Sequence, residues 1–143
     1  MKRSLGSLLI VLLTMLGIGA GIVLAATTGN TSVTKTVGQT ALLSWTAPAT
    51  YTNGNAIPSS VTLTYDVFSA SQATGTTCAS LTAGTPTQAG LTGTSYTTPA
   101  YATPGVWCYA ITSIANGVMS VPSNTVQVTV TNPTPNPPQA TVQ

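Results

Sequence analysis

Ionisable side chains are almost absent from this chain of 143 residues, which contains three basic residues, one acidic residue and no histidine. Two of the basic residues, Lys2 and Arg3, lie at the very start of the chain. The rest of the chain therefore carries only Lys35 and Asp66, and its side chains are neutral overall. Any function must come mainly from shape and from uncharged groups.

This scarcity of charge excludes most kinds of active site. A glycosidase requires two carboxylates, and a serine or cysteine nucleophile requires a base that is usually histidine. Zinc and calcium sites require clusters of His, Cys, Asp or Glu, which one aspartate and two cysteines cannot supply. We therefore expect a protein that is not an enzyme and that has no cofactor. Nucleic-acid binding is excluded as well, because its affinity depends on Lys and Arg.

The N-terminal segment has the layout of a secretory signal peptide. A short basic start precedes a long apolar run over residues 5–24, and small residues end at Ala25. We expect cleavage after Ala25, so that residues 1–25 are the signal peptide. The apolar run also approaches the length that crosses a bilayer, so an uncleaved membrane anchor is the alternative. In either case the remainder is secreted or displayed at the cell surface.

After this leader, apolar and polar residues alternate in short runs that recur about every ten residues, with no helical periodicity. This pattern predicts an all-β sandwich or barrel. In the region of residues 69–93 the pattern dissolves, and we expect loops and short edge strands there, with one piece near 78–81. Asn116-Gly117 predicts a tight hairpin turn, because both residue types tolerate a positive φ. The predicted strands are 31–37, 40–46, 61–68, 94–98, 106–114 and 125–130.

The C-terminal residues 132–143 are rich in proline and contain little that is apolar. Proline cannot donate to a strand ladder, so this segment predicts a disordered tail or a linker stub. No internal repeat is visible. We therefore expect one folded domain over residues 26–131.

Several of the predicted strands resemble those of fibronectin type III domains. Residues 43–48 (LSWTAP) are similar to the second strand of that family, 65–68 (YDVF) to the third, 93–97 (GTSYT) to the fifth and 107–114 (WCYAITSI) to the sixth. The resemblance continues through the turn at 116–117 and the last strand, and covers about residues 33–131. It implies an immunoglobulin-like β-sandwich of about seven strands in two sheets. The aromatic residues that it places in the core are Trp45, Tyr65, Trp107 and Tyr109.

Two cysteines in an exported chain favour a single disulfide, with a pair of free buried thiols as the alternative. The resemblance implies that the third and sixth strands are antiparallel neighbours. Cys78 follows the third strand and Cys108 opens the sixth, so we expect these two residues to be bonded. Because Trp107 and Tyr109 should face the core, alternation places Cys108 on the outer face of the sheet.

The four core aromatic residues could be imagined as a stacking platform for sugars, but alternation along the strands turns them inward. Exposed contacts are more plausible in loops. Tyr51, Asn53 and Asn55 lie in the loop before the third strand, and Tyr101 lies in the loop before the sixth. We take these four as candidate contact residues, with local packing as the alternative.

The leading functional hypothesis is a secreted or surface-displayed structural and interaction module of the adhesion type. Its loops and sheet edges would contact an extracellular protein or a glycan. One alternative is an accessory spacer for an extracellular hydrolase encoded elsewhere. Another is a phage virion or surface-filament component in which edge strands pair between copies, because the edges carry few charges.

Overall fold

The computed structural model describes residues 32–138, and this part of the chain is all-β, with no helix. The predicted leader, residues 1–25, lies outside the described residues. Across residues 32–138 there is accordingly no helix long and apolar enough to span a membrane. The eight strands are β1 (Ser32–Thr36), β2 (Leu42–Ser44), β3 (Leu63–Gln72), β4 (Gln88–Leu91), β5 (Ser95–Thr97), β6 (Gly105–Ala115), β7 (Val118–Met119) and β8 (Val126–Thr131).

These strands form two sheets that pack face to face. The larger sheet has the order β1-β8-β6-β3-β4, with β7 also paired to β6, and the smaller sheet pairs β2 with β5. Only β1 and β8 are parallel among the described pairs. β3 and β6 pair antiparallel from Leu63↔Ala115 to Gln72↔Val106, as the sequence resemblance implied. The predicted β-sandwich is confirmed.

Alternation along the strands builds the core between the two sheets. Of the four aromatic residues expected there, Tyr65 and Tyr109 are buried, whereas Trp45 and Trp107 are half-buried at the margin of the cluster. The Trp45 and Tyr65 rings meet edge to face, with centroids 5.3 Å apart. The buried members of the cluster are Ala41, Leu43, Tyr65, Val67, Tyr101, Tyr109, Ile111, Val128 and Val130.

The strand prediction is wrong in parts of residues 69–93. β3 continues to Gln72, beyond its predicted end at residue 68, whereas β4 (Gln88–Leu91) is a short strand at the edge of the sheet, as expected for this stretch. Conversely, the piece expected near 78–81 is not a strand. The extension of β3 contains small and polar residues with little strand preference, but β6 pairs with it along its whole length. Pairing with a strong neighbour therefore overrides the weak local signal.

The hairpin prediction at Asn116-Gly117 is confirmed. Both residues have a positive φ, 51° and 77° respectively. They connect β6 to β7 in antiparallel register, with Ala115 opposite Val118. This geometry is the one that an Asn-Gly pair adopts at low cost, because both residues tolerate the left-handed region.

Residues 73–87, which we call the strap, cross the outer face of the larger sheet. From the end of β3 the strap passes over β6 to β8, where the Cys78 N–H donates to Gln127 Oε1 (3.0 Å). The Leu81 N–H donates to Oγ1 of Thr125, the residue just before β8 (3.3 Å). The strap then returns to β4, on the far side of β3. The outer face beneath the strap is therefore buried, and Phe68 on that face is only 4% exposed.

Replacing either of two buried threonines by valine is expected to change the stability, in opposite directions. Thr98 Oγ1 accepts a hydrogen bond from the Ala41 N–H (2.9 Å), whereas Thr112 Oγ1 has no partner among the described residues. Replacing Thr112 by valine removes an unpaired hydroxyl at nearly constant shape, and should raise the free energy of unfolding by about 1 kcal/mol. Thr98→Val leaves the Ala41 N–H unpaired and should lower that free energy by about 1 to 3 kcal/mol. Urea unfolding measures both variants, and shifts of the same sign would contradict this assignment.

Candidate binding surfaces

A groove at one end of the sandwich lies between the loop that precedes β3 and the β6–β7 hairpin. Its volume is about 470 Å³. We call it the loop-end groove. It brings together three of the four predicted contact residues, and its walls include Tyr51, Asn53, Asn55, Pro58, Asn116 and Val118.

Hydrogen bonds within the loop hold the first wall of this groove in place. The Tyr51 N–H donates to the Asn55 carbonyl oxygen (2.8 Å), and the Asn55 N–H donates to Asn53 Oδ1 (3.0 Å). The second bond is an Asx turn, which is the local structure that asparagine favours. Gly54 between them has φ +83°, a conformation that side chains other than glycine's rarely adopt. The loop is thus ordered before any partner binds, which lowers the entropic cost of binding.

The loop-end groove presents apolar side chains and the amide groups of asparagines. Val118 at its rim is 45% exposed, and the side chains of Asn53 and Asn55 are also exposed. Amide groups both donate and accept hydrogen bonds, and the apolar surface between them can be desolvated by a partner. Among the lining residues only Tyr51 carries an ionisable side chain. The groove therefore suits a neutral partner and offers no group arranged for proton transfer.

The fourth predicted contact residue, Tyr101, is not exposed. Only 3% of its surface is accessible and it belongs to the core cluster, so the prediction of an exposed contact at Tyr101 is wrong. Two backbone hydrogen bonds tie it to the β1–β2 turn, from the Gly38 N–H to the Tyr101 oxygen (2.8 Å) and from the Tyr101 N–H to the Gln39 oxygen (3.0 Å). The Tyr109 hydroxyl donates to the Tyr101 hydroxyl (3.2 Å) in the interior.

A second cleft opens between the two sheets on the side of β4 and β5. Its volume is about 240 Å³. We call it the aromatic cleft. Trp107 and Tyr109 face the space between the sheets, as the alternation along β6 predicted. The sequence carries no signal for the place where the two sheets separate. The cleft walls include Tyr96, Pro99, Tyr101, Ala102, Trp107 and Tyr109.

Burial raises the pKa values of two tyrosines in the core. It raises the pKa of Tyr109 above the ordinary value of 10.0, and the hydrogen bond with Tyr101 raises that pKa further. Burial also raises the pKa of Tyr65. Both hydroxyls therefore stay neutral at physiological pH.

The raised pKa values of Tyr65 and Tyr109 predict that the domain loses stability at alkaline pH. Each pKa is higher in the folded than in the unfolded chain, so the associated stability is complete below pH 10.0 and is lost as the pH rises from there towards the folded pKa. Urea unfolding at a series of pH values measures the loss. Tyr109→Phe should make it shallower, and an unchanged slope in this variant would contradict the prediction.

The predicted disulfide joins Cys78 and Cys108, with an S–S distance of 2.02 Å and Cα atoms 5.6 Å apart. Cys108 lies on the outer face of β6 and is fully buried, while Cys78 on the strap is half-buried. The bond fastens the strap to the centre of the larger sheet. Because both sulfur atoms are used in it, neither cysteine can serve as a nucleophile or a metal ligand.

The two charged side chains within residues 32–138 lie on different strands of the larger sheet. Lys35 on β1 is half-buried, and Asp66 on β3 is buried and accepts a hydrogen bond from the Gly90 N–H (2.8 Å). In this part of the chain no three His, Cys, Asp or Glu residues lie together as a metal site would require.

Comparisons with known proteins found similarity to a solved structure. No protein-family model matches the chain, and no curated protein matches it. Among solved structures the chain is similar to an Fn3-like protein from Clostridium thermocellum, with 20% sequence identity and a TM-score of 0.45. The match covers 71% of this chain and 93% of that one. The β-sandwich assigned above rests on the strand order and register of the chain itself.

Proposed function

We propose that this chain is an exported, non-catalytic structural and interaction module that contacts an extracellular protein or glycan through the loop-end groove. The observation that carries the proposal is the groove itself, in which two ordered loops present exposed apolar and amide side chains. The near absence of ionisable groups supports a binding role, because catalysis usually requires groups that donate, accept or stabilise charge.

Export is supported by two independent features. The first 25 residues have the layout of a signal peptide, and the Cys78–Cys108 disulfide belongs to the kind of bond that persists in oxidising compartments. Intact-mass analysis of the exported protein tests both. We expect a chain that begins at Ala26 and lacks two hydrogens, whereas an intact Met1 would contradict cleavage.

Two matched valine variants test the binding role of the groove. Val118 lines it and is 45% exposed, while Val121 is 66% exposed and does not line it. The exported protein and its variants would be passed over immobilised extracellular proteins and polysaccharides from the cells that produce it. Val118→Arg should weaken retention by about tenfold or more, because it places a charge in a surface that a partner must desolvate.

Val121→Arg should be retained like the wild type. Retention that survives Val118→Arg unchanged, or that is lost equally in both variants, would show that the groove is not the contact surface. Circular dichroism of each variant excludes loss of the fold as the cause.

A further inference from the structure

The walls of the aromatic cleft consist mainly of rings and small apolar groups. Tyr96 on β5 and Trp107 on β6 are half-buried on its two sides, and the Tyr101 ring lies 5.5 Å from the Trp107 ring, centroid to centroid. Six lining residues carry a hydroxyl group, and four of these groups are bonded in two pairs, Ser69 with Thr87 (2.7 Å) and Tyr101 with Tyr109 (3.2 Å). The lining residues include no carboxylate, amide or cationic side chain. A sugar needs many hydrogen-bonding partners, so this cleft suits an apolar ring better than a polyhydroxylated one.

The cleft also contains donors for the carbonyl group of an occupant. Two half-buried lining residues carry donors outside these pairs, Tyr96 with its hydroxyl and Trp107 with its indole N–H. Aromatic-lined grooves bind polyproline II segments, whose proline rings pack against the aromatic side chains. Such segments have no internal hydrogen bonds, so their carbonyl oxygens remain able to accept.

The chain itself contains a segment of this kind. Residues 132–138 (NPTPNPP), which we call the proline tail, follow β8, have no regular secondary structure and are all exposed. None of them is therefore buried in the cleft of its own domain. The base of the tail lies near the cleft, because the Val37 N–H donates to the Thr131 oxygen (2.9 Å) and the adjacent Gly38 N–H donates to the Tyr101 oxygen (2.8 Å).

We propose that the aromatic cleft binds the proline tail of a second copy of this chain. The tail and the cleft are both uncharged, and an extended proline segment loses little conformational entropy when it binds. Because the tail begins at the end of the sandwich where the cleft lies, two copies can exchange tails reciprocally, and such an exchange closes a dimer. The proposal goes beyond the proposed function, because it uses a surface distinct from the loop-end groove.

A peptide titration tests the contact directly. The probe is a synthetic peptide of residues 131–143, and the receptor is the exported protein in which the four tail prolines are replaced by alanine. The peptide should produce a saturable change at the Trp107 indole N–H in NMR spectra. Ala102→Arg in the same receptor places a charge at an exposed position of the cleft wall and should weaken binding by about tenfold or more. Ala56→Arg, at an exposed position in the loop-end groove, should leave binding unchanged.

Absence of a saturable change, or equal binding to the Ala102→Arg receptor, would overturn the proposal. A neutral oligosaccharide that shifts the Trp107 signal while the peptide does not would assign the cleft to carbohydrate instead, and would also overturn it.

Sedimentation of the protein with its own tail tests the second copy. The exported wild type should form dimers as its concentration rises, and both the four-alanine tail variant and Ala102→Arg should remain monomeric at the same concentrations. The wild type could instead stay monomeric while its Trp107 NMR signal differs from that of the four-alanine tail variant at every dilution. This result would show that each tail binds the cleft of its own chain. That outcome would refute the exchange between copies.

Discussion

Replacing both cysteines by alanine is expected to lower the free energy of unfolding by about 3.5 kcal/mol. The Cys78–Cys108 bond closes a loop with a sequence separation of 30 residues, and its loss restores the corresponding entropy to the unfolded chain. The expected loss is a large fraction of the total, because domains of this size are stable by only about 5 to 15 kcal/mol. The double variant should therefore unfold at a much lower urea concentration than the wild type.

The structure adds a local consequence to this global loss. Without the disulfide, the strap is held to β8 through the Cys78 and Leu81 N–H groups, which bond only to side chains there. Hydrogen exchange should therefore show these two amides losing protection before the amides of β6. The wild type treated with a reductant under mild denaturing conditions serves as the control and should behave like the double variant. A double variant with unchanged urea midpoint would contradict the prediction.

The fold could be predicted where alternation and turn chemistry agree. β8 has apolar residues at every second position, β6 is a long and largely apolar run, and Asn116-Gly117 marks the turn that ends β6. The prediction fails where the formation of a strand depends on its neighbour. The last part of β3 contains small and polar residues, and its pairing with β6 extends the strand to Gln72.

The same distinction applies to the candidate sites. Tyr51, Asn53 and Asn55 could be predicted as one surface, because they lie within a few residues of one another in a single loop. The burial of Tyr101 could not be predicted, since the residue packs in the core against distant parts of the chain and its backbone bonds to Gly38 and Gln39, about 60 residues earlier. The aromatic cleft escaped prediction for a related reason: it is a property of two sheets and not of any one segment.

The sequence did not predict that the outer face of the larger sheet is buried. Substitution of Phe68 tests this burial directly. Phe68 alternates with the core residue Val67 and therefore points away from the space between the sheets, yet it is only 4% exposed. The strap bonds to Thr125 through the Leu81 N–H and then to the oxygen of Val67, next to Phe68, through the Thr87 N–H. We infer that the segment between these two bonds covers Phe68. The outer face thus carries a second, smaller buried layer beneath the strap.

Phe68→Ala is expected to lower the free energy of unfolding by about 3 to 5 kcal/mol, as for a phenylalanine removed from a core. Leu42→Ala is the matched control, because Leu42 lies on the outer face of the smaller sheet and is 69% exposed, so its loss should change stability by less than about 0.5 kcal/mol. Urea unfolding compares the two variants, and similar small effects would show that the strap does not cover Phe68.

Combining Phe68→Ala with the double cysteine replacement adds a second criterion. If the disulfide and Phe68 stabilise the domain through the same strap, the losses of unfolding free energy in the two variants should be less than additive. The reason is that a strap released by loss of the disulfide no longer buries Phe68 fully.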